Sequence, residues 1–495
     1  MGVFDLVVVG AGPAGIASAL SLAARSPAAR IAVLEAGRNL RKRPCPVDRG
    51  RRCTGCGGVC NVISGFGGSV HYGDGVKLSL LPSGRRLIDL FGDAAVELCT
   101  HAYQLYRPNG PLLGQPQDTG TSSEGFRNGV LRNFGIVPRE YPVEVVGETE
   151  LRRILHRLEQ DVEAVAEVLY QARLIDIALT GEEFIVRYRH SECAYGLMHS
   201  ELRAKNVVLA TGRAGLTSTQ RILASLGVDM TPPSYSKGVR VEMPYRYLRN
   251  IGSKYPDFKF SSTPSRQKTK TFCFCGGENG GRIKFTNYQQ EFGAEIITLD
   301  GHETLERVAA GVGDGDTLSA NFGLLCQQTQ LDAEVDRSDR FQTDVIEPYL
   351  KMSGGRPIVQ ILSDFRARRS PSHSWADLIE RLPFRPSVAD LVTAPAHELF
   401  SSAEHDSIMK TFDTLMEPIL QEEGINYSRA ALDESAIVVA PEVEFMWNLV
   451  AVDDSCQTNI RGLFVVGDAA GIAQGVIQAT MMGLRSGDAI SSYIN

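Results

Sequence analysis

Three observations on the 495-residue sequence predict an α/β fold in two domains. The first is a short apolar run, VFDLVVV, that leads into Gly10-Ala11-Gly12-Pro13-Ala14-Gly15 and then into IASALSLAARS at helical spacing. The second is another buried-type run, IAVLE, ending on Glu35. The third is a set of alternating runs far downstream, KGVRVEMPY, KTFCFC and AEIITLDG, which have the period of a half-buried sheet. The first two describe a Rossmann-type nucleotide-binding domain, and the third a second domain of mixed or antiparallel α+β structure.

Bulk composition narrows the field. A chain this long exceeds one ordinary core and needs no cysteine staples. Its 43% hydrophobic and 22% charged residues are ordinary for a globular protein. The net charge of -7, with basic residues scattered, leaves no electrostatic footprint for nucleic acid or for an anionic membrane. FDLVVVGAG lacks a basic leader and is broken by glycine, so it reads as neither signal peptide nor membrane span. The expectation is a cytoplasmic enzyme whose ten cysteines are mostly reduced thiols.

Each element of the opening unit has a physical reason. Residues 3 to 9 are short, β-branched and apolar on both faces, as a buried parallel strand requires. Gly10 permits the tight turn, Gly12 lets the backbone approach a pyrophosphate at the helix N-terminus, and Gly15 lets helix and strand pack closely. Glu35, twenty residues after Gly15, is spaced to bond both hydroxyls of a ribose. That acid disfavours a 2′-phosphate, so FAD or NAD fits and NADP fits poorly. The nucleotide-binding set at this end is Gly10, Gly12, Pro13, Ala14, Gly15, Glu35 and Ala36.

Two later segments extend the pattern. Asn459 to Asp468 is a strand running into Gly467-Asp468, followed by AAGIAQGVIQATMMGLRSGDAI, a glycine-rich turn that opens a helix. This resembles the second FAD motif of glutathione-reductase-type flavoproteins, in which the aspartate meets the ribityl-phosphate region and the helix N-terminus faces the flavin. NVVLATGRAG, from Asn206 to Gly215, resembles the ATG strand-turn of the same superfamily. The resemblance implies FAD as cofactor and adds Gly67, Gly68, Ala210, Thr211, Gly212, Gly467, Asp468, Gly475, Val476 and Ile477 to its contacts. More narrowly, GFGGSVHYGDGVKLSL (65 to 80), GVRVEMP (238 to 244), TFCFCGG (271 to 277) and GLFVVGDAAG (462 to 471) are similar to a bacterial family of FAD-dependent dehydrogenases. That family is related to geranylgeranyl-reductase-like and aminoacetone-oxidase-like flavoproteins. Its members read GGAGxFSDGKL where this chain has GGSVHYGDGVKL, so His71 and Tyr72 replace Phe-Ser and Val76 is inserted before Lys77. These departures fall where substrate would meet the flavin, and substrate class is not carried over.

The resemblance also implies a discontinuous FAD-binding domain, residues 1–75, 143–235 and 441–495, with a substrate domain from 76–142 and 236–440. Within the first, GETELRRILHRLEQDVEAV (147 to 165) carries Leu151, Ile154, Leu155 and Leu158 on one stripe and predicts an amphipathic helix. A hairpin with a Thr-Gly-Glu turn follows. In the second domain, SSAEHDSIMKTFDTLMEPILQEE predicts a helix, and the turn-rich stretch 108 to 125 a surface loop or lid. The glycine cluster at 309 to 318 lacks a preceding strand and a third glycine and reads as a loop, so no second dinucleotide fold is predicted. Electrons must then come from NAD(P)H bound transiently over the flavin, or pass through a separate donor or acceptor.

PCPVDRGRRCTGCGGVCN places Cys45, Cys53, Cys56 and Cys60 close together in sequence. Three readings stay open: unligated thiols in a glycine loop, a tetrahedral zinc or iron-sulfur site, and a flavin-linked disulfide. For the chemistry, His71 and Tyr72 are the catalytic candidates, as proton-transfer groups beside the flavin, with Asp74 and Lys77 as orienters. Arg240 is a candidate for a substrate carboxylate or for an ion pair with Glu242 or another acid. Trp375 and Trp447 are far apart, so no halogenase WxWxIP stretch exists, and the ATG strand lacks the Asp-Gly that aromatic hydroxylases carry. The expected function is dehydrogenation or double-bond reduction of a small organic substrate, with hydride transfer at flavin N5. Flavin monooxygenation, or a non-catalytic flavin, thiol or metal redox sensor, are the alternatives.

Overall fold

The computed structural model describes residues 2–43, 45, 46, 51–56, 59–71, 75–108, 136–139, 141–190, 199–231, 235–254, 259–262, 268–276, 280–297, 317–327, 341–444 and 448–494. The glycine cluster at 309–316 and the stretch 109–125 lie outside them, as do Tyr72 and Asp74.

The first sheet has seven strands and is α/β in character. The opening strand Phe4–Val9 lies at its centre, parallel to Ile31–Glu35 on one side and to His199–Leu209 on the other. Ile31–Glu35 in turn pairs parallel with Glu167–Tyr170. The long strand His199–Leu209 has different partners along its two halves. Its C-terminal half pairs with Phe4–Val9 and with Leu463–Val465, while its N-terminal half continues into the antiparallel hairpin Ala172–Thr180 and Glu183–His190. Phe4–Val9 is buried throughout except for Asp5, as a strand covered on both faces must be.

Helices cover this sheet. Pro13–Arg25 follows the glycine turn, and the C-terminal helix Val476–Ile494 packs directly on it. Small residues allow the approach: a Cβ on Gly483 would lie 2.1 Å from the Ala14 carbonyl oxygen, and one on Gly487 2.6 Å from that of Ser18. Glu148–Val165 forms the amphipathic helix expected from the leucine stripe, with Leu151, Ile154, Leu155, Leu158 and Val162 buried.

The second sheet has eight strands, antiparallel except where Ile358–Ile361 pairs with Val392–Thr393. Its central members are Ile437–Glu444, Ser236–Pro244, Ser319–Gln327 and Thr269–Cys275. Ser236–Pro244 is buried at all nine positions, although four of its residues (Ser236, Lys237, Arg240 and Glu242) are polar or charged. Helix Ser402–Glu422 closes one face, with a capping box in which Ser401 accepts from the Glu404 N–H and Glu404 accepts from that of Ser401. Each sheet has its own apolar cluster.

Candidate functional site

A cavity partly open to solvent runs along the C-terminal ends of the parallel strands and reaches the second sheet. That edge of a parallel sheet is where α/β folds bind ligands. The cavity is lined by Gly10, Gly12, Pro13, Ala14, Glu35, Ala36, Gly68, Ala210, Thr211, Gly212, Gly467, Asp468, Gly475 and Val476. Residues from both ends of the chain thus share one wall.

Gly15, Gly67 and Ile477 do not line it. Gly15 lies behind the turn, where a Cβ would come within 1.9 Å of the Gly10 carbonyl oxygen. Gly67 donates its N–H to the Ala11 carbonyl at 2.8 Å and so holds the loop against the strand end. Ile477 is fully buried in the core. His71 closes the short helical turn Gly68–His71.

The cradle is built from backbone. Gly12 and Gly68 face each other so closely that a Cβ on Gly68 would lie 3.1 Å from the Gly12 Cα. Helix Pro13–Arg25 starts at Gly12 with no side-chain cap and no acid in its first turn, and Gly12, Pro13 and Ala14 line the cavity, so the N–H groups of the first turn lie beside that space. Together with the positive end of the helix dipole they suit a phosphate.

Glu35 is a hub as well as a wall residue. Its Oε2 accepts the Ala11 N–H at 2.8 Å, and its Oε1 accepts the N–H groups of Gly37 and Gly65, both at 2.7 Å. A carboxylate has about four acceptor directions, so about one is left for a hydroxyl in the cavity.

Arg43, which the motif reading did not single out, holds the glycine loop from behind. It is buried, and its guanidinium donates to the carbonyls of Phe66 (2.7 Å), Asn61 (2.6 Å) and Gly68 (2.9 Å). The signal for it was the basic run at 38 to 43. On the opposite wall Arg213 donates through Nε to Asp468 at 3.1 Å, and both line the cavity.

The cavity has two ends of different character. Glu35, Ala36, Ala172, Arg173 and Leu174 bound one. Val76, Lys77, Ser79, Lys259, Phe272 and Gln478 bound the other, where Gln478 donates to the carbonyls of Ser79 (2.9 Å) and Ser83 (3.2 Å). Lys77 donates to the Phe274 carbonyl and approaches the Cys273 sulfur at 3.7 Å. Lys259 sits over the Phe272 ring at 5.6 Å. Aromatic, amide and cationic groups together make this the end suited to a polar ring system.

Two expectations are corrected. Arg240 does not face substrate. It is fully buried and pairs with Glu442 at 2.5 Å, also donating to Asn321 Oδ1 at 2.8 Å and the Cys273 carbonyl at 2.9 Å. Nor is Glu242 its ion-pair partner: that carboxyl accepts from Ser319 Oγ at 2.7 Å and from the Ser387 N–H at 2.8 Å, and burial pushes its pKa up to about 7.

The four-cysteine metal cage is also not built. Among the described residues no three metal-ligating side chains gather, and the loop resolves instead into a thiol pair. The Cys60 thiol donates a hydrogen bond to the Cys56 sulfur, and the Asn61 N–H donates to the same sulfur at 3.5 Å. The Cys60 contact outweighs burial and, with Asn61, Arg38 and Arg43, draws the Cys56 thiol down to about 6. The same contact, reinforced by burial, drives Cys60 upward. Cys53 accepts from Asn287 Nδ2 at 3.3 Å instead.

No family model and no curated protein matches the chain. Among solved structures it is similar to the quinol fumarate reductase FrdA of E. coli, at 14% identity over 99% of this chain and 70% of that one, with a TM-score of 0.39. A flavoprotein/dehydrogenase from Cytophaga hutchinsonii aligns at 10% identity over 100% and 79%, TM-score 0.37. OxyS anhydrotetracycline hydroxylase from Streptomyces rimosus aligns at 13% over 99% and 62%, TM-score 0.37. Likenesses this distant leave the nature of the site to its own residues.

Proposed function

We infer that the cavity binds FAD and that the chain is an FAD-dependent oxidoreductase acting on a small organic substrate, by dehydrogenation or double-bond reduction. One observation carries this reading: Gly12 and Asp468, from motifs at opposite ends of the sequence, line the same cavity together with an uncapped helix N-terminus. An extended ligand with a diphosphate at its middle fits that wall.

In this reading the N–H groups after Gly12 and the backbone of Gly68 hold the diphosphate, and Glu35 meets the ribose. Asp468, kept in place by Arg213, faces the ribityl chain. Val76, Lys77, Lys259, Phe272 and Gln478 surround the ring. FAD supplies the two-electron acceptor at N5, and the protein supplies orientation, a dry wall and a route for one proton. His71, at the end of the turn that begins with Gly68, is the proton-transfer group of this proposal, with Tyr72 next to it in sequence. NAD(P)H docked transiently, or a separate redox partner, supplies or removes the electrons.

Purification followed by FAD reconstitution tests the reading. The expected result is a yellow protein with stoichiometric flavin that bleaches anaerobically with NAD(P)H or with a reducing substrate. A folded protein that takes up no FAD overturns it.

A further inference from the structure

The strand Thr269–Cys275 contains a second pair of thiols, and its geometry is unusual. Cys273 and Cys275 point to one side with their sulfurs 3.9 Å apart, and no disulfide joins them. The pairing with Ser319–Gln327 shifts register between Phe272 and Cys275, which marks a β-bulge. Cys273 has φ +34, a conformation that a non-glycine residue adopts only where its surroundings impose it.

Those surroundings are cationic. Arg240 Nη1 lies 3.3 Å from the Cys275 sulfur and also holds the Cys273 carbonyl. Its other terminal nitrogen and its Nε are taken by Glu442, and Nη1 also donates to Asn321 Oδ1 at 2.8 Å. Lys77 Nζ lies 3.7 Å from the Cys273 sulfur. Arg240 and Lys77 therefore place a positive group beside each sulfur, where a thiolate formed during oxidation would meet opposite charge. Both thiols are buried, at 1% and 0% exposure, so solutes in bulk water reach neither. Two neighbours of the pair, Lys77 and Phe272, are wall residues of the ring end of the cavity.

We propose that Cys273 and Cys275 form a redox-active dithiol–disulfide couple that exchanges an electron pair with the flavin bound in the adjoining cavity. This rests on the reading of the cavity as an FAD site. Oxidation forms one S–S bond, breaks two S–H bonds, releases two protons and passes two electrons to oxidised FAD. The reverse step opens the disulfide with electrons from reduced FAD. The sulfurs need to close by about 2 Å to reach bonding distance, a movement that a bulged strand allows. Lys77 and Arg240 are positioning residues for the couple. The site would store a second pair of electrons between the flavin and an external donor or acceptor.

Anaerobic reductive titration of the air-oxidised, FAD-loaded protein tests this, together with peptide mapping after alkylation in denaturant. The expected uptake is about four electron equivalents per flavin, against about two for Cys273→Ser or Cys275→Ser with the same flavin content. Mapping of the oxidised wild-type protein should give a peptide with residues 273 and 275 joined, opened by reduction. Mapping needs no variant, so it decides the matter even where the serine forms fold poorly. A yellow protein that takes up only about two equivalents, with both thiols alkylated after oxidation, overturns the couple alone. A protein that takes up no FAD overturns the cavity reading, and the couple with it.

Discussion

Ser18 Oγ and Ser486 Oγ lie 2.8 Å apart in a buried hydrogen bond, although 468 positions separate them in the chain. Around that bond helix Pro13–Arg25 and helix Val476–Ile494 pack closely enough that Gly483 and Gly487 have no room for a side chain. The contact brings the Gly12 turn and the Asp468 turn to one wall. The two ends of the sequence therefore share one cavity wall.

Three glycines of the opening turn should respond differently to alanine. At Gly10 a Cβ would sit 2.3 Å from the Ala210 carbonyl oxygen with φ +108, and at Gly15 1.9 Å from that of Gly10. Gly10→Ala and Gly15→Ala should each destabilise the fold by about 2–4 kcal/mol, read as a lowered denaturation midpoint. At Gly12 the nearest atom to a Cβ is 3.8 Å away and φ is -83, so Gly12→Ala should keep its stability. In the FAD reading, its methyl group projects into space that the diphosphate would need. FAD affinity should fall about tenfold or more, measured by flavin fluorescence quenching. Unchanged affinity in that variant would count against the cradle.

Glu35→Gln should destabilise the protein even without cofactor. The carboxylate accepts three backbone N–H groups, and an amide places its NH2 against at least one of them. The expected cost is about 2–3 kcal/mol in urea denaturation of the flavin-free form. A role confined to ribose binding would leave the flavin-free form unchanged.

Glu242 should make stability depend on pH. Its folded pKa, raised by burial to about 7, lies above the 4.5 of an ordinary glutamate. Between these two values the folded state holds a proton that the unfolded state has lost, so stability falls as pH rises through this window. Glu242→Gln removes the titration while its amide oxygen can still accept from Ser319 and Ser387. The variant should match wild type near pH 4.5 and gain up to about 3 kcal/mol over it by pH 8. Denaturation curves at the two pH values give the difference directly.

Cys56 should be the fastest-alkylating thiol of its loop. Because the contact with Cys60 is the largest cause of its lowered pKa, labelling by iodoacetamide should rise through pH about 6 in the native protein. The thiolate is present above that value and lost as pH falls through it. In Cys60→Ala the midpoint should move up toward that of an ordinary thiol, whereas Cys60 itself should label slowly throughout. Mass spectrometry of the labelled peptides distinguishes the two.

Several parts of the site are legible in the sequence because they are local. The turn at Gly10 to Gly15, the strand ending at Glu35 and the buried stripe Leu151, Ile154, Leu155 and Leu158 depend on backbone geometry and periodicity over fewer than about twenty residues. The strands Ser236–Pro244 and Thr269–Cys275 were readable in the same way. Arg43 was visible only as part of a basic run, since nothing in a run says which arginine turns inward.

By itself, then, the sequence determined the identity of the elements: where a glycine turn must bend, which strands are buried, which acid stands at a strand end. Only the tertiary structure decided their partners. Arg240 pairs with Glu442, 202 positions away, rather than with Glu242 two positions along its own strand. Glu35 serves three backbone amides, and the bulge sets Cys273 beside Cys275. Dihedral preferences are properties of neighbouring residues and can be read from them. Hydrogen-bond and ion-pair partners are chosen by packing, which brings distant segments within a few ångströms and leaves each buried polar group only what stands next to it.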